Sequence, residues 1–396
     1  MKKLILLSVT IILTFSLIGG YACSQPSGKK VAIPDEGLER VIRNILDKSS
    51  GDIYTSELEQ ITEVRSSIIE RNQNINVPIF DLTGLEYCIN LKTLDLYSGE
   101  IKDLSPLYAL TNLVNLSLYT STSNISPLAF LTNLQSFHLS GNQITDISPL
   151  VKLTNLKTLS LGGTSISDIT PLSSIVNLEE LFLGNTRVVD LSPLASLTNL
   201  QNLGLENHEM TDLSPLASLT NLEQLWLSNN QITDISPLAS CTKLRELLLG
   251  DNQISDLSSL SHMTNLEQLW LSNNQITDIS PLANCTKLSD LALDGNRISD
   301  ISAVAKLSNI YQLSLEDNRI SDLSPLVSLT GVQLSLYLRN NRISDVSPLL
   351  SVNRLLSYDL EDNPLNDEAM ETILPELESR GTNLGSLLIP PEILGK

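Results

Sequence analysis

The chain has 396 residues, with 45 Asp and Glu against 25 Lys and Arg, and a formal net charge of −20. Such an acidic chain repels phosphate backbones, so its composition argues against nucleic acid as a partner. Its three histidines leave few candidates for acid–base catalysis or metal binding.

The first segment is typical of a signal peptide, which we predict over residues 1–22. Lys2 and Lys3 precede an apolar run at residues 4–18, which is too short to span a bilayer comfortably. Ala22 followed by Cys23 is similar to a bacterial lipoprotein cleavage site, although Gly20 stands where such sites usually have leucine. We therefore predict export with lipid attachment at Cys23 and a tether over residues 23–33. Cleavage by ordinary signal peptidase, followed by secretion, is the alternative.

Residues 34–80 are predicted to form a helical N-terminal cap. A first helix over residues 35–47 would place five apolar side chains on one face, namely Leu38, Val41, Ile42, Ile45 and Leu46. A second helix is expected to begin near Ser56, because its spacing to Glu59 matches a capping box.

Residues 81–365 consist of about thirteen repeats of 22 residues. The string TNLEQLWLSNNQITDISPLA occurs twice, at residues 220–239 and 264–283. Residues 222–230 read L-x-x-L-x-L-x-x-N, which is the leucine-rich-repeat signature. Leu225 and Leu227 alternate with polar or aromatic residues, so a short strand is predicted to point its leucines inward.

Each strand is followed by a turn sequence. Asn230 is expected to satisfy backbone groups at the end of its strand, and the aspartates before Ser-Pro are expected to work in turns and caps. Ser236 is predicted to cap a single 3-10 turn, with Pro237 at its first position.

A C-terminal cap is predicted over residues 366–396, with a helix at about 367–379 that ends at Arg380 and Gly381. The predicted fold is thus an α/β leucine-rich-repeat solenoid. It has a curved parallel β-sheet on its concave side, short 3-10 turns on its convex side and helical caps at both ends.

Three cysteines, Cys88, Cys241 and Cys285, occupy a repeat position where other units have leucine, isoleucine or methionine. Cys241 and Cys285 are two repeats apart, which is about 10 Å in stacked strands and too far for a disulfide. They are predicted to be core residues.

The repeat LTNLEQLWLSNNQITDISPLA resembles that of the bacterial internalin family. The segments PDEGLERVIRNILDKSSGDI and DLTGLEY are similar to that family's helical cap and first repeat. The resemblance spans about residues 33–388 and implies surface adhesion or protein recognition, without naming a ligand. Similar repeats occur in eukaryotic phosphatase-regulating proteins, but the export signal does not fit that role.

The candidate ligand-binding residues lie in the strand positions that should face the concave side. Phe182, Trp226, Leu248 and Trp270 fall within five consecutive strands, and Tyr337 lies further along the same column. Exposed apolar clusters mark interaction sites, so these residues are predicted to anchor a ligand. The structural alternative is that the duplicated tryptophans are one copied event, since aromatic residues also suit strands.

Acidic residues flank this column, and four of them are predicted to contribute to binding: Glu206, Asp251, Asp294 and Glu316. They would favour a neutral or basic protein ligand, or else simply form a solvated, solubilising face. No Asp-rich loop specifies a calcium site, so neither metal nor cofactor is predicted.

Catalysis has little support in the sequence. His138, His208 and His262 are two or more repeats apart and cannot form a common site. We therefore predict a non-enzymatic, monomeric recognition protein at the bacterial cell envelope, attached to the membrane only through a lipid. The alternatives are a glycan-binding surface protein and an envelope-structural protein without a dedicated ligand.

Overall fold

The computed structural model describes residues 27–70, 73–97, 101–119, 122–140, 143–330, 333–380 and 382–384. The predicted signal peptide, Cys23 and the C-terminal residues 385–396 lie outside these ranges. Before the repeats come β1 (Lys30–Val31), β2 (Ile53–Tyr54), β3 (Glu63–Arg65), β4 (Ser67–Glu70) and β5 (Gln73–Asn76).

Each repeat contributes one short strand. The repeat strands are β6 (Thr93–Tyr97), β7 (Asn115–Tyr119), β8 (Ser136–Ser140), β9 (Thr158–Ser160), β10 (Glu180–Phe182), β11 (Asn202–Gly204), β12 (Gln224–Trp226), β13 (Glu246–Leu248), β14 (Gln268–Trp270), β15 (Asp290–Ala292), β16 (Gln312–Ser314), β17 (Leu334–Tyr337) and β18 (Leu355–Asp359). A last strand, β19 (Asn383–Leu384), follows them. Strands β3 and β6–β19 form one parallel sheet of 15 strands, in chain order. The predicted solenoid is confirmed.

The pairing register explains why the core is continuous. Leu203 stands opposite Leu225, and Leu225 opposite Leu247, so leucines of successive repeats stack along the sheet. The seven apolar residues of one unit are each at most 2% exposed: Leu219, Leu222, Leu225, Leu227, Ile232, Ile235 and Leu238. One repeat cannot bury these side chains alone, so each unit is stabilised by its neighbours.

A column of asparagine side chains, which we call the asparagine ladder, forms hydrogen bonds with backbone groups at the strand ends. The Asn230 amide donates to the carbonyl oxygens of Leu227 (2.9 Å) and Leu205 (3.0 Å), and its oxygen accepts from the Met210 N–H (3.1 Å). The same pattern recurs at Asn252, Asn274, Asn296, Asn318, Asn341 and Asn363. The predicted role of this column in satisfying backbone groups is confirmed.

The convex side consists of 3-10 turns, as predicted, such as Ser236–Ser240 and Ser280–Asn284. The expectation that Ser236 caps its turn is wrong, because Ser236 is the first residue of the turn itself. Instead, the Asp234 carboxylate accepts from the Ser236 N–H (2.8 Å) and from its hydroxyl (3.0 Å). The aspartate column therefore has the predicted structural role in the turns.

The N-terminal cap contains α1 (Glu36–Ile45) and α2 (Thr55–Leu58). Asp35 caps α1 by accepting from the Leu38 N–H at 2.8 Å. Ile45 was expected on the buried face but is 41% exposed. The predicted capping box at Ser56 is also wrong, because the Glu57 carboxylate accepts from the Tyr54 N–H (2.8 Å), which places the box two residues earlier.

At the C-terminal end, a π-helical turn (Ala369–Ile373) leads into α3 (Leu374–Ser379), close to the predicted helix. Within the described residues, no helix is both long and apolar enough to cross a bilayer. Cys88, Cys241 and Cys285 are buried and unpaired, as predicted.

Candidate ligand-binding surface on the concave sheet

Alternate strand residues face the hollow of the solenoid. In β12 and just after it, Leu225 and Leu227 are fully buried in the core, whereas Trp226 and Ser228 are partly exposed. This alternation follows from the pleat of the strand, which sends successive side chains to opposite faces. Neither tryptophan of the chain is packed inside the core.

Four apolar residues form a surface that we call the aromatic shelf: Phe182, Trp226, Leu248 and Trp270. Trp226 stands opposite Leu248, and Leu248 opposite Trp270, so three of them occupy adjacent strands. Phe182 lies two strands before Trp226, and the centroids of their rings are 5.4 Å apart. All four side chains are half-buried. The structure thus places these candidates side by side.

Gly204 makes the ring contact between Phe182 and Trp226 possible. It occupies β11 between their two strands, directly opposite both residues. A Cβ at this position would lie 3.0 Å from Phe182 Cδ1 and 3.4 Å from Trp226 Cε3. Any larger residue would therefore push into the space that the rings share. The sequence column shows a glycine here, but its role is visible only in the packing.

Each indole of the shelf lies near an acidic residue of the following strand, and the Trp226 N–H donates to it. Trp226 Nε1 donates to Glu246 Oε1 (2.7 Å), and Gln224 Nε2 donates to Glu246 Oε2 (2.8 Å). The Trp270 side chain also interacts with the acid at the corresponding position, Asp290. Burial raises the pKa of Asp290, and the interaction with Trp270 partly offsets that shift. Glu246 therefore fixes the orientation of the Trp226 ring.

Sequence reasoning did not single out Glu246 and Asp290 as partners of the tryptophans. A usable signal was present, since each Trp is followed by an acid 20 residues later. That spacing is two residues short of one repeat, which places the acid diagonally across the neighbouring strand.

Glu206 lies close to the shelf. Its carboxylate Oε2 would be 3.2 Å from a Cβ built on Gly204, so it sits beside the contact of Phe182 with Trp226. Burial raises the pKa of this carboxyl group. Among the predicted acids, Glu206 is the one that the structure brings to the aromatic pair.

Asp294 and Glu316 form a second acidic group, further along the sheet. Asp294 accepts from the Ser272 hydroxyl (3.0 Å), the Glu316 N–H (2.9 Å) and the Ser314 hydroxyl, while burial raises its pKa. Burial and the nearby carboxylate of Asp294 raise the pKa of Glu316 to about 7, and its Oε1 has no hydrogen-bond partner. Ionisation of these two carboxyl groups costs folding free energy in the protein without a ligand, because their charges are desolvated.

Two predicted candidates lie apart from the shelf. Asp251 is an exposed turn residue with φ 55°, and its Oδ1 accepts from Asn273 Nδ2 at 2.9 Å. Tyr337 was expected to be open to a ligand, but it is only 9% exposed, and its neighbours in register are Ser314 and Asp359. Burial also raises the pKa of its hydroxyl. Tyr337 therefore packs into the sheet surface and offers little area to a ligand.

The three histidines do not meet. His138 and His262 are exposed on different sides of the solenoid, whereas His208 is buried and its Nε2 lies 2.8 Å from Thr186 Oγ1. In the part of the chain that the structure describes, no group of three or more His, Cys, Asp or Glu residues is arranged to hold a metal ion.

Comparisons with known proteins agree with this architecture. A family model described as Leucine Rich repeats (2 copies) matches residues 132–174, 176–218, 207–240, 220–262, 242–284 and 264–306. A search among curated protein sequences gave no match.

Several solved structures are similar to this chain. An internalin from Listeria monocytogenes is 36% identical over 84% of this chain and 91% of its own, with a TM-score of 0.70. A leucine-rich-repeat protein from Leptospira interrogans is 21% identical and covers 86% of this chain and 97% of its own, with a TM-score of 0.71. A plant peptide hormone receptor in complex with RGF2 is 17% identical and covers 75% of this chain and 68% of its own, with a TM-score of 0.52.

The latter two similarities show the fold alone. The likeness to the Listeria protein is stronger, because it combines sequence identity with coverage of nearly the whole relative. Together with the repeats and the solenoid, it assigns the family: this chain belongs to the internalins.

Proposed function

We propose that this protein is an exported, non-enzymatic recognition module of the bacterial cell envelope that binds a protein ligand on its concave sheet. The observation that carries the proposal is the aromatic shelf, where Phe182, Trp226, Leu248 and Trp270 form one apolar strip. Half-buried tryptophans with fixed orientation are typical of interface centres, because they supply contact area at a low cost in side-chain entropy.

The fold supports a protein as the ligand. Leucine-rich-repeat solenoids of the internalin type are protein-interaction modules, and the plant receptor of the same fold was solved in complex with RGF2. The acids around the shelf, such as Glu206 and Asp290, favour a neutral or basic ligand over an acidic one.

The test is a pull-down with the mature chain, in which Trp226 and Trp270 are both replaced by alanine. We expect captured proteins to be lost with the double variant, because hot-spot aromatic residues each contribute about 2 kcal/mol or more to binding. Tyr108→Ala is the matched control, since Tyr108 is an exposed aromatic residue (54%) in a convex turn. Equal capture by the double variant and the wild type would remove the shelf from consideration.

A glycan is the second candidate ligand, and the environment of Trp226 is the observation that favours it. A carboxylate and an amide, from Glu246 and Gln224, lie beside the indole ring, and sugars are commonly bound by such groups together with an aromatic face. A glycan array decides between the two. Sugar binding that disappears in Trp226→Ala would replace the protein ligand by a glycan. If all concave substitutions left every interaction of the cell envelope intact, a purely structural role would be favoured instead.

Attachment to the membrane through a lipid on Cys23 is part of the proposal. Bacterial relatives of the internalin type are surface or secreted proteins, and the sequence before Cys23 is similar to a lipoprotein signal. We expect Cys23→Ser to move the protein from the membrane fraction into the medium or periplasm. An unchanged membrane fraction for this variant would contradict lipidation.

A further inference from the structure

A polar cleft of about 370 Å³ lies next to the aromatic shelf, where strands β11 to β14 begin. Its walls carry the carboxylates of Glu223, Glu246 and Glu267, the guanidinium of Arg245 and four side-chain amides. Glu246 belongs to the cleft and also accepts the indole N–H of Trp226. The cleft and the shelf are therefore neighbouring parts of one surface.

The charges of the cleft are unbalanced. Arg245 is paired with Glu267 through two bonds, Nε to Oε1 at 3.1 Å and Nη2 to Oε2 at 2.9 Å. Glu246 receives hydrogen bonds from neutral groups only, the Gln224 amide and the Trp226 indole. Three carboxylates face one guanidinium, which leaves two negative charges in the cleft.

Glu223 accounts for much of this surplus. It stands in the same column of the sheet as Glu179, Arg245 and Glu267. Glu179 has Lys157 as its ionic partner at 2.8 Å, and Glu267 has Arg245. Among the ion pairs of the described ranges, none includes Glu223 or Glu246. Arg245 attracts Glu223 electrostatically without forming a direct ion pair with it. A cation entering the cleft would therefore meet acceptors whose charge is only partly compensated.

We infer that the cleft binds a lysine or arginine side chain of the protein ligand, while an apolar residue adjacent to it in the ligand rests on Trp226 and Leu248. This inference builds on the proposed function, because it assigns a second contact of the same ligand. Carboxylates and amide oxygens accept the N–H groups of ammonium and guanidinium ions, and the surplus negative charge disfavours an acidic side chain. The ligand would therefore carry a basic residue next to an apolar or aromatic one.

The test uses a displayed library of random twelve-residue peptides, selected on the mature chain. We expect the enriched peptides to contain lysine or arginine within two positions of an aromatic or large aliphatic residue. A synthetic peptide from this pool is then titrated against the wild type, Trp226→Ala, Glu223→Gln and Glu179→Gln. Glu179→Gln is the matched control, because it removes a carboxylate from the same column but outside the cleft.

We expect Glu223→Gln to lower the affinity for the peptide about fivefold and to leave the thermal midpoint of unfolding unchanged. Glu179→Gln should bind the peptide with the affinity of the wild type. Higher salt should narrow this difference, because screening weakens partly exposed charge pairs. Peptides that require Trp226 but lack basic residues would overturn the inference and leave the proposed function standing. Equal affinities of the Glu223→Gln and Glu179→Gln variants for the peptide would also overturn the inference without affecting the proposed function. If selection on the wild type enriched no more peptides than selection on Trp226→Ala, both the inference and the proposed function would be contradicted.

Discussion

Phe182 and Trp226 belong to strands that are not neighbours, yet their ring centroids lie 5.4 Å apart with an angle of 31° between the planes. The contact passes over Gly204 in the intervening strand. Tilted aromatic pairs at this distance contribute about 0.5–1.5 kcal/mol beyond the burial of their area. The shape of the shelf at this end depends on a residue without a side chain.

We predict that Gly204→Val separates the two rings, because the added Cβ would already lie 3.0 Å from Phe182 Cδ1. The overall stability should change by less than about 1 kcal/mol, since a glycine within a strand costs 0.5–1 kcal/mol that valine recovers. The measurement is the fluorescence emission of Trp226 in a Trp270→Phe background. This background removes the other of the two tryptophans in the chain. We expect a shift to longer wavelength as the indole gains contact with water.

Gly250→Ala is the control for this substitution. A Cβ at Gly250 would meet no atom closer than 3.6 Å, so the emission of Trp226 should stay as in the parent. Identical spectra for Gly204→Val and Gly250→Ala would show that Gly204 is not what allows the ring contact.

The asparagine ladder should carry a large share of the stability of each repeat. Asn274 donates to the carbonyl oxygens of Leu249 (2.9 Å) and Leu271 (3.0 Å) and accepts from the Ile254 N–H (2.9 Å). Asn274→Ala would leave the buried Ile254 N–H without its acceptor, at a cost of about 1–3 kcal/mol. The two carbonyl oxygens would each lose one bond but keep another, because Asn252 donates to Leu249 and Asn296 to Leu271. The measurement is the free energy of unfolding in urea.

Asn309→Ala is the matched control, because Asn309 is exposed and makes one bond to the Thr286 carbonyl oxygen. We expect it to cost less than about 1 kcal/mol. A similar loss in both variants would mean that the buried ladder contributes nothing special to the solenoid.

The sequence predicts the fold well because the same 22-residue pattern recurs in register. The residues at the position of Leu225 are all leucines in β9–β17, and Phe137 and Tyr358 replace leucine in the strands on either side. One correct assignment of the inward face therefore applies to all units. The concave location of Trp226 and Trp270 follows from that assignment by alternation alone. These features depend on periodicity, which a single sequence displays.

The details that the sequence does not predict depend on what lies beside a residue on the neighbouring strand. Tyr337 has the same column position as Trp226, but it lies in a unit where β17 and β18 are shifted in register, and it is buried there. Asp234, and not Ser236, holds the turn because its carboxylate reaches the serine N–H two residues on. Column position gives the direction of a side chain, whereas its exposure depends on how that side chain packs against the neighbouring strands.

Glu316 should make the protein more stable as the solution becomes mildly acidic. Its pKa is raised from 4.5 to about 7 by burial and by the carboxylate of Asp294, so its ionisation opposes folding. This cost is fully present above pH 7, falls as the pH drops through that value, and is gone below about 4.5. We predict that Glu316→Gln is more stable than the wild type at pH 8 by about 1–2 kcal/mol, allowing for solvent screening of a partly exposed group.

The measurement is the free energy of unfolding at pH 8 and at pH 5 for the wild type and for Glu316→Gln. The advantage of the variant should shrink at pH 5, where the wild-type carboxyl is mostly protonated. Glu209→Gln, at an exposed turn position, is the control and should be neutral at both pH values. An advantage that persisted unchanged at pH 5 would assign the effect to packing and not to charge.

His208 should have the opposite effect on stability, because it replaces an asparagine in the ladder. Its Nδ1 lies 3.0 Å from the Leu205 carbonyl oxygen and its Nε2 lies 2.8 Å from Thr186 Oγ1, an arrangement that suits a neutral ring protonated on Nδ1. Burial lowers its pKa from the ordinary value of 6.5. The stability that this lowered pKa contributes is complete above pH 6.5 and is lost as the pH falls through that value and then through the folded-state pKa.

We predict that His208→Asn removes the loss of stability that protonation of His208 causes as the pH falls. An asparagine amide can donate to the same Leu205 carbonyl oxygen, and its oxygen can accept from the Val188 N–H, which now makes only a long bond of 3.4 Å to Thr186 Oγ1. The measurement is the free energy of unfolding between pH 8 and pH 5 for His208→Asn and for His138→Asn, the latter at an exposed histidine. His208→Asn should gain on the wild type as the pH falls below 6.5, whereas His138→Asn should run parallel to it. If both variants ran parallel to the wild type, the buried ring would not be the acid-sensitive point of the ladder.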